Sequence, residues 1–241
     1  MKIVGLLTSW NRPKLLQQAL KHIERECLDV GAQLVIADDL STDYHTLKLL
    51  EEYEKKGAIV IKRPYAREEG QNPHYLVGLN AQFAFLHCVN KLNADLVCKF
   101  DDDVVLVEGA FKRLLKAREE AIADGHKVLA TSGIKGIWEP LVYAPEERSY
   151  RIVLTPCAAM SLYEKEDLRI CFSEISSGTI ATNGWDWTLI NEYRNKWKED
   201  HIAISTAPGS VCYHAGYTGV HVANMDINKD YEGSLDGIYT E

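Results

Sequence analysis

A short apolar run, Asp95 to Phe100, passes directly into three consecutive aspartates, Asp101, Asp102 and Asp103, and this junction constrains the chain more than any other segment. An apolar stretch of that length suits a buried strand. Carboxylates held together at a strand end repel one another unless a cation or a set of donors neutralises them. Oxygen ligands of this kind suit the hard ions Mg²⁺ and Mn²⁺, which can bridge a protein to a diphosphate and stabilise it as a leaving group. The competing reading is an acidic turn at the start of the next helix, where Asp is also common.

Upstream of that junction the pattern alternates. Lys2 to Leu7 reads as a strand, and a helix follows with Leu16, Ala19, Leu20, Ile23 and Cys27 on one face and Pro13 in its first turn. Gln33 to Ala37 and Ala58 to Lys62 read as further strands, with helices over Asp43 to Lys55 and Tyr75 to Leu92. A βαβα series implies a mostly parallel central sheet flanked by helices. After Asp103 the alternation weakens. A helix over Glu108 to Ala123 and a strand over Lys127 to Thr131 precede two stretches with antiparallel character, Trp138 to Tyr143 and Tyr150 to Leu154. Lys165 to Ile170 and Trp187 to Lys198 read as helices, and the glycine-containing C-terminal stretch reads as loops over the site. The expectation is a single α/β domain over residues 1–241, with a smaller antiparallel portion in its second half.

Composition narrows the function classes. A formal charge of −8 gives no general attraction to polyanions, and Lys112, Arg113 and Lys116 fit the solvated face of a helix. The six cysteines are dispersed without a C-x-x-C pair and sit mostly in apolar runs, as small hydrophobes in a reducing compartment do. The apolar segments are too short for a signal h-region or a membrane span, so the expectation is a cytoplasmic protein with no membrane span.

A second acidic cluster strengthens the first. Asp38 and Asp39 follow the Gln33 to Ala37 strand, and Ser41 or Thr42 suits the N-cap of the next helix. Open α/β sheets bind ligands beyond the carboxyl ends of their strands, where Thr8, Asp38 and Asp101 would converge. An aspartate there can accept a hydrogen bond from a base N–H or a ribose hydroxyl. His214 leaves an apolar run into glycine-containing backbone, a place from which imidazole can ligate a metal or contact a diphosphate.

These segments together resemble the GT-A glycosyltransferases, especially family-2-like members that use nucleotide-diphosphate sugars. Thr8 to Pro13 is similar to their first-strand loop, Val35 to Asp43 to the V-D-D-G-S-T-D segment, and Phe100 to Asp103 to the D-x-D motif. Gly70 and Asn80 are similar to the stretch preceding that motif. The match covers roughly residues 1–106, which the resemblance makes the nucleotide-sugar-binding half, leaving 107–241 as the acceptor-binding half.

The resemblance implies a role for each residue. Thr8, Asn11, Arg12, Asp38, Asp39, Arg67, Asp101 and Asp102 would bind the nucleotide sugar; Asp101, Asp103 and His214 would hold Mn²⁺ or Mg²⁺. Asp186, in a segment similar to the one opening the acceptor-side helix of this family, would be the general base, and flanking by Trp185 and Trp187 would desolvate it. Leu40 stands where the family usually has glycine and Leu79 where it often has arginine, so Arg67 or His74 would supply diphosphate contacts. No Q-x-x-R-W element of processive synthases is present; Arg194 to Trp197 does not reproduce it.

The implied activity is inverting transfer of one sugar from a donor, with UDP-sugar favoured, to a saccharide hydroxyl. Trp138, Tyr143, Trp185, Trp187 and Tyr217 offer faces that stack on sugar rings or on a nucleobase. A hydroxylated base in DNA is therefore a second, less favoured acceptor. A sugar-phosphate nucleotidyltransferase would carry a glycine-rich basic loop after the first strand, which Thr8 to Pro13 lacks. A nucleotide-sugar-binding protein without catalysis would have no need of Asp186.

Overall fold

The computed structural model describes residues 1–65, 73–135, 145, 147–154, 156–216, 231–234 and 236–239. Among them ten strands form in chain order: β1 (Ile3–Ser9), β2 (Gln33–Asp38), β3 (Ile59–Lys62), β4 (Leu96–Asp101), β5 (Val104–Leu106), β6 (Val128–Ser132), β7 (Tyr150–Val153), β8 (Met160–Glu164), β9 (Ile202–Thr206) and β10 (Cys212–His214). Eight of them make one sheet in the order β3-β2-β1-β4-β8-β6-β9-β7, and β5 pairs with β10 in a separate antiparallel ribbon. β3, β2, β1 and β4 are mutually parallel. β8 runs against both β4 and β6, β9 runs with β6, and β7 runs against β9. The carboxyl ends of β1, β2 and β4 therefore share one edge, with Thr8 opposite Asp101 and Ser9 opposite Asp38.

Helices cover both faces. On one side α1 (Pro13–Val30), α2 (Tyr44–Lys55) and α4 (Ala110–Ala123) meet the sheet through Leu16, Leu20, Leu50, Phe111 and Leu114, packed on Leu7, Ile36 and Phe100. On the other, α3 (Pro73–Leu86) and α5 (Lys165–Glu174) bring Phe85, Leu168 and Phe172 onto Val4, Leu6 and Val97. Burial on both faces explains why β1, β2 and β4 read as continuous apolar runs rather than alternating ones. The same face as α3 receives α6 (Ser177–Asn183), α7 (Trp185–Trp187) and a π-helical stretch over Thr188–Tyr193, which α8 (Arg194–Trp197) continues.

Local chemistry sets the helix boundaries. Pro13 opens α1, and Gly31, at φ 66°, closes it in the left-handed conformation that glycine adopts without steric cost. The cap of α2 is Asp43, whose Oδ1 accepts from Thr46 N at 2.8 Å. This corrects the assignment to Ser41 or Thr42, whose hydroxyls turn instead to Asn11. Glu26, fully buried on the apolar face of α1, accepts from Gly109 N at 3.1 Å and Phe111 N at 3.0 Å. Its carboxylate thus satisfies orphan donors at the N-terminus of α4 and complements that helix's dipole.

Several second-half elements lie outside the sequence-based expectation. β8 sits between β4 and β6 in the middle of the sheet, yet its residues Met160 to Glu164 run into α5 without a turn residue to mark the junction. β9 is absent from that expectation although it is as long as β6, and β5, β10 and α6 are short, where length is the feature that periodicity needs. Part of the C-terminal stretch expected as loop is strand: β10 pairs with β5. The strand expected over Trp138 to Tyr143 lies outside the described residues.

Glu26→Gln should remove the charge and one of the two acceptor oxygens facing α4. Urea unfolding is expected to show a loss of about 1–3 kcal/mol, the range for a charged hydrogen-bond acceptor removed from buried donors; unchanged stability would show that this carboxylate does not join the helices.

Candidate active site at the carboxyl edge of the sheet

Asp101 ends β4, and Asp102 and Asp103 form the turn to β5. Asp101 N donates to Ala159 O at 3.0 Å, and Ala215 N donates to Asp103 O at 2.7 Å, so the turn is tied to the segment before β8 and to the end of β10. Pairing of β10 with β5 sets His214 opposite Val104, and its Nε2 lies 3.3 Å from Asp103 Oδ1. Asp101, Asp103 and His214 each present a potential ligand atom, all within 4.8 Å of one another.

Two cations face this cluster. Arg12 reaches Asp102 Oδ1 with Nη1 at 3.1 Å and Asp103 Oδ2 with Nη2 at 2.6 Å. Lys99, two residues before Asp101 and therefore on the same side of β4, contacts the Asp101 carboxylate and lies 5.1 Å from the centre of the Trp185 ring. Burial pulls the Lys99 ammonium down to about 8, against the opposing pull of Asp103, Asp186 and Asp102. Burial likewise pushes Asp102 up to about 7, although Arg12 works in the other direction. His214 is lowered by burial more than Asp103 raises it, which favours the neutral imidazole that a metal requires.

The donor set fits a divalent cation. Asp103 Oδ1 is buried and has no hydrogen-bond partner among the described residues, although Arg12 holds the other oxygen of the same carboxylate, an arrangement that leaves a buried acceptor open to a further ligand. Two carboxylates and an imidazole around that oxygen form a hard and borderline ligand set suited to Mn²⁺ or Mg²⁺. Gly216 completes the cradle: a Cβ there would strike the Asp103 carboxylate and come within 2.6 Å of Arg12 Nη2.

The loops after β1 and β2 are fastened to each other. Asn11, at φ 49°, accepts through Oδ1 from Thr42 N at 2.8 Å and Asp43 N at 2.9 Å, while its own N donates to Ser41 Oγ at 3.0 Å. Asn tolerates that left-handed backbone better than other side chains do. Asp38 is fully buried, and both its oxygens accept from Ser41 N, at 3.2 and 3.1 Å. Asp39 is paired with buried Arg63. Leu40, which takes the place of glycine, is at φ 58°, a conformation that costs a non-glycine residue about 1–2 kcal/mol; the Asp38 and Asn11 hydrogen bonds on either side hold it there.

Asp186 opens α7 behind Gly184 and is close enough to act electrostatically on Lys99, Cys157 and Tyr163, all near the aspartate turn. The expected flanking by two tryptophans is only half met. Trp185 is 4% exposed, packed on Phe85 and Tyr163 and over Lys99, whereas Trp187 is 51% exposed. Trp185 is consequently a core residue and not a stacking face. Arg67, Trp138, Tyr143, Tyr217 and the side chain of His74 lie outside the described residues.

Three nearby residues escaped the sequence reading. Lys99 carried a usable signal, a lysine inside an apolar strand at the spacing that shares a face with Asp101. Arg63 and the 42% exposed Trp10, whose N lies 3.4 Å from Asp102 Oδ2, carried none, because their roles depend on contacts distant in sequence.

No protein-family model and no curated protein sequence matches the chain. Solved structures do match. TarS of S. aureus superposes with a TM-score of 0.59 at 16% identity, covering 89% of this chain and 36% of TarS. The mannosyltransferase PcManGT of Pyrobaculum calidifontis, solved with GDP-Man and Mn²⁺, gives 0.55 at 15% identity over 90% of this chain and 58% of that one. A Bacillus anthracis protein described as a glucose-1-phosphate thymidylyltransferase gives 0.51 at 12% identity, covering 88% and 89% of the two chains. The chain has the GT-A fold, as the sequence motifs implied. It spans little more than a third of TarS and under three fifths of PcManGT.

Gly216→Ala places a methyl group against Asp103 and Arg12. Calorimetric titration of Mn²⁺ in the presence of a nucleoside diphosphate should show affinity reduced about 10- to 100-fold, as for disturbed metal-site supports, with the thermal unfolding midpoint nearly unchanged.

Proposed function

We propose that this chain is a metal-dependent glycosyltransferase that moves one sugar from a nucleotide-diphosphate donor to an acceptor hydroxyl, with inversion at the anomeric carbon. The observation that carries the reading is the convergence of Asp101, Asp103 and His214, with a buried carboxylate oxygen that accepts no hydrogen bond among the described residues, at the ligand-binding edge of a GT-A sheet. A bound divalent ion supplies positive charge to the departing diphosphate.

The chain's own groups would divide the remaining work. Asp101, Asp103 and His214 hold the ion, and Arg12 turns its guanidinium toward the diphosphate. Thr8, Asn11, Asp38, Asp39 and Asp102 shape the nucleoside end, with Arg67 a further diphosphate contact. Asp186 removes the acceptor proton as the hydroxyl attacks. The resemblance and the single proposed base are what support inversion. UDP-sugar is the favoured donor class and a saccharide hydroxyl the favoured acceptor, with exposed Trp187 as a stacking face.

The thymidylyltransferase likeness keeps nucleotidyl transfer as a second reading. Against it stands the loop after β1, Thr8 to Pro13, which offers one arginine and no glycine to a triphosphate. A panel of UDP-, GDP-, CDP- and TDP-sugars assayed for Mn²⁺-dependent hydrolysis and transfer decides between them. Sugar release supports glycosyl transfer; pyrophosphate release from a nucleoside triphosphate and a sugar 1-phosphate, without sugar release, supports the alternative.

Two substitutions separate binding from chemistry. Asp103→Asn removes an anionic ligand at nearly constant shape and should abolish tight Mn²⁺-dependent donor binding in calorimetry while circular dichroism stays native. Asp186→Asn should lower kcat by about 10²–10⁴-fold, the contribution of a positioned general base, with donor affinity little changed. Near-normal turnover in the second variant would reassign Asp186 to opening the helix.

A further inference from the structure

Lys99 is the one buried lysine among the described residues. An ammonium in a protein interior is costly unless it is paired, and here the pairing is with a proposed metal ligand. Its Nζ contacts Asp101, its side chain is 3% exposed, and the buried Trp185 ring covers it, so it has no route to solvent. Arg12 differs: its side chain is 30% exposed, and it sits on the loop before α1 with Asp102 and Asp103 in its grip.

Charge balance gives this arrangement a consequence. Among the described residues, Arg12 and Lys99 face the carboxylates of Asp101 to Asp103, and Lys99 already occupies the Asp101 carboxylate. A divalent ion entering alone would have to compete with that ammonium for Asp101 and be repelled by it in a medium that screens poorly. A divalent ion entering with a diphosphate arrives with negative charge that offsets its own, and the partly exposed guanidinium of Arg12 offers the phosphates a bidentate donor.

We propose that Lys99 is a built-in counter-cation that takes the metal's electrostatic place at Asp101, so that a divalent ion binds tightly only together with a diphosphate. The inference rests on the metal reading of this site given above. Lys99 is a positioning residue in this scheme, because it acts on the ion through Asp101.

Flow dialysis of Mn²⁺ against the protein, alone and with saturating inorganic pyrophosphate, tests the proposal without any sugar transfer. Wild type should hold Mn²⁺ weakly alone and at least about tenfold more tightly with pyrophosphate. Lys99→Met should bind Mn²⁺ alone about tenfold or more tightly than wild type, and Lys99→Arg should stay near wild type. A purely structural lysine gives the opposite sign, since disorder around Asp101 weakens the site. If Lys99→Met does not fold by circular dichroism, Arg12→Gln removes the other cation and should also tighten Mn²⁺ alone while reducing the pyrophosphate effect. Tightening in neither variant, with wild type still binding Mn²⁺ and pyrophosphate together, overturns the counter-cation proposal alone. Wild type binding no Mn²⁺ under either condition overturns the metal reading as well.

Discussion

Mutual repulsion among Asp101, Asp102 and Asp103 is the constraint around which this edge of the molecule is organised. The backbone forces three carboxylates together at the end of β4 and the turn to β5, mostly away from water, and no single neighbour could neutralise them. The countercharges come from different elements, Arg12 from the start of α1 and Lys99 from within β4, while β10 sets the neutral imidazole of His214 against Asp103. Each has a support of its own. Asn11 fastens the loop that carries Arg12, Trp185 roofs Lys99, and the β5–β10 ribbon carries His214.

That arrangement shows which parts of the molecule can be read from a sequence. β1, β2, β3 and β4, with α1, α2 and α4, were legible because each is long enough to display its period and because parallel strands buried on both faces leave uninterrupted apolar runs. Asp101, Asp103 and His214 were legible as ligand types, and the structure brings them together. Lys99 was missed although its spacing from Asp101 was visible, since a lysine in a strand is ordinarily a surface residue. β8 was missed for a different reason. It needs no turn before α5, and its central place comes entirely from partners in β4 and β6.

Other features were visible in outline but not in function. Leu40 was evident as a departure from glycine, yet only the backbone reveals that the left-handed conformation is kept and the side chain tolerated. Asp38 and Asp39 looked alike in sequence and behave differently: one organises the backbone of Ser41, the other closes a buried ion pair with Arg63. Glu26 sits where a helical wheel calls for an apolar residue, and its reason is the N-terminus of a helix more than eighty residues later, at Gly109 and Phe111.

The ribbon joining Val104–Leu106 to Cys212–His214 also fixes an order of events. The aspartates leave the ribosome roughly a hundred residues before the histidine that completes their cluster. Until β10 arrives, β5 has an unpaired edge and Asp103 lacks both its imidazole neighbour and the Ala215 amide that holds its backbone. The sheet's first four strands can form on a growing chain, but the corner at Asp103 closes only once β10 has followed. Closure of that corner therefore reports that two segments roughly a hundred residues apart have found each other.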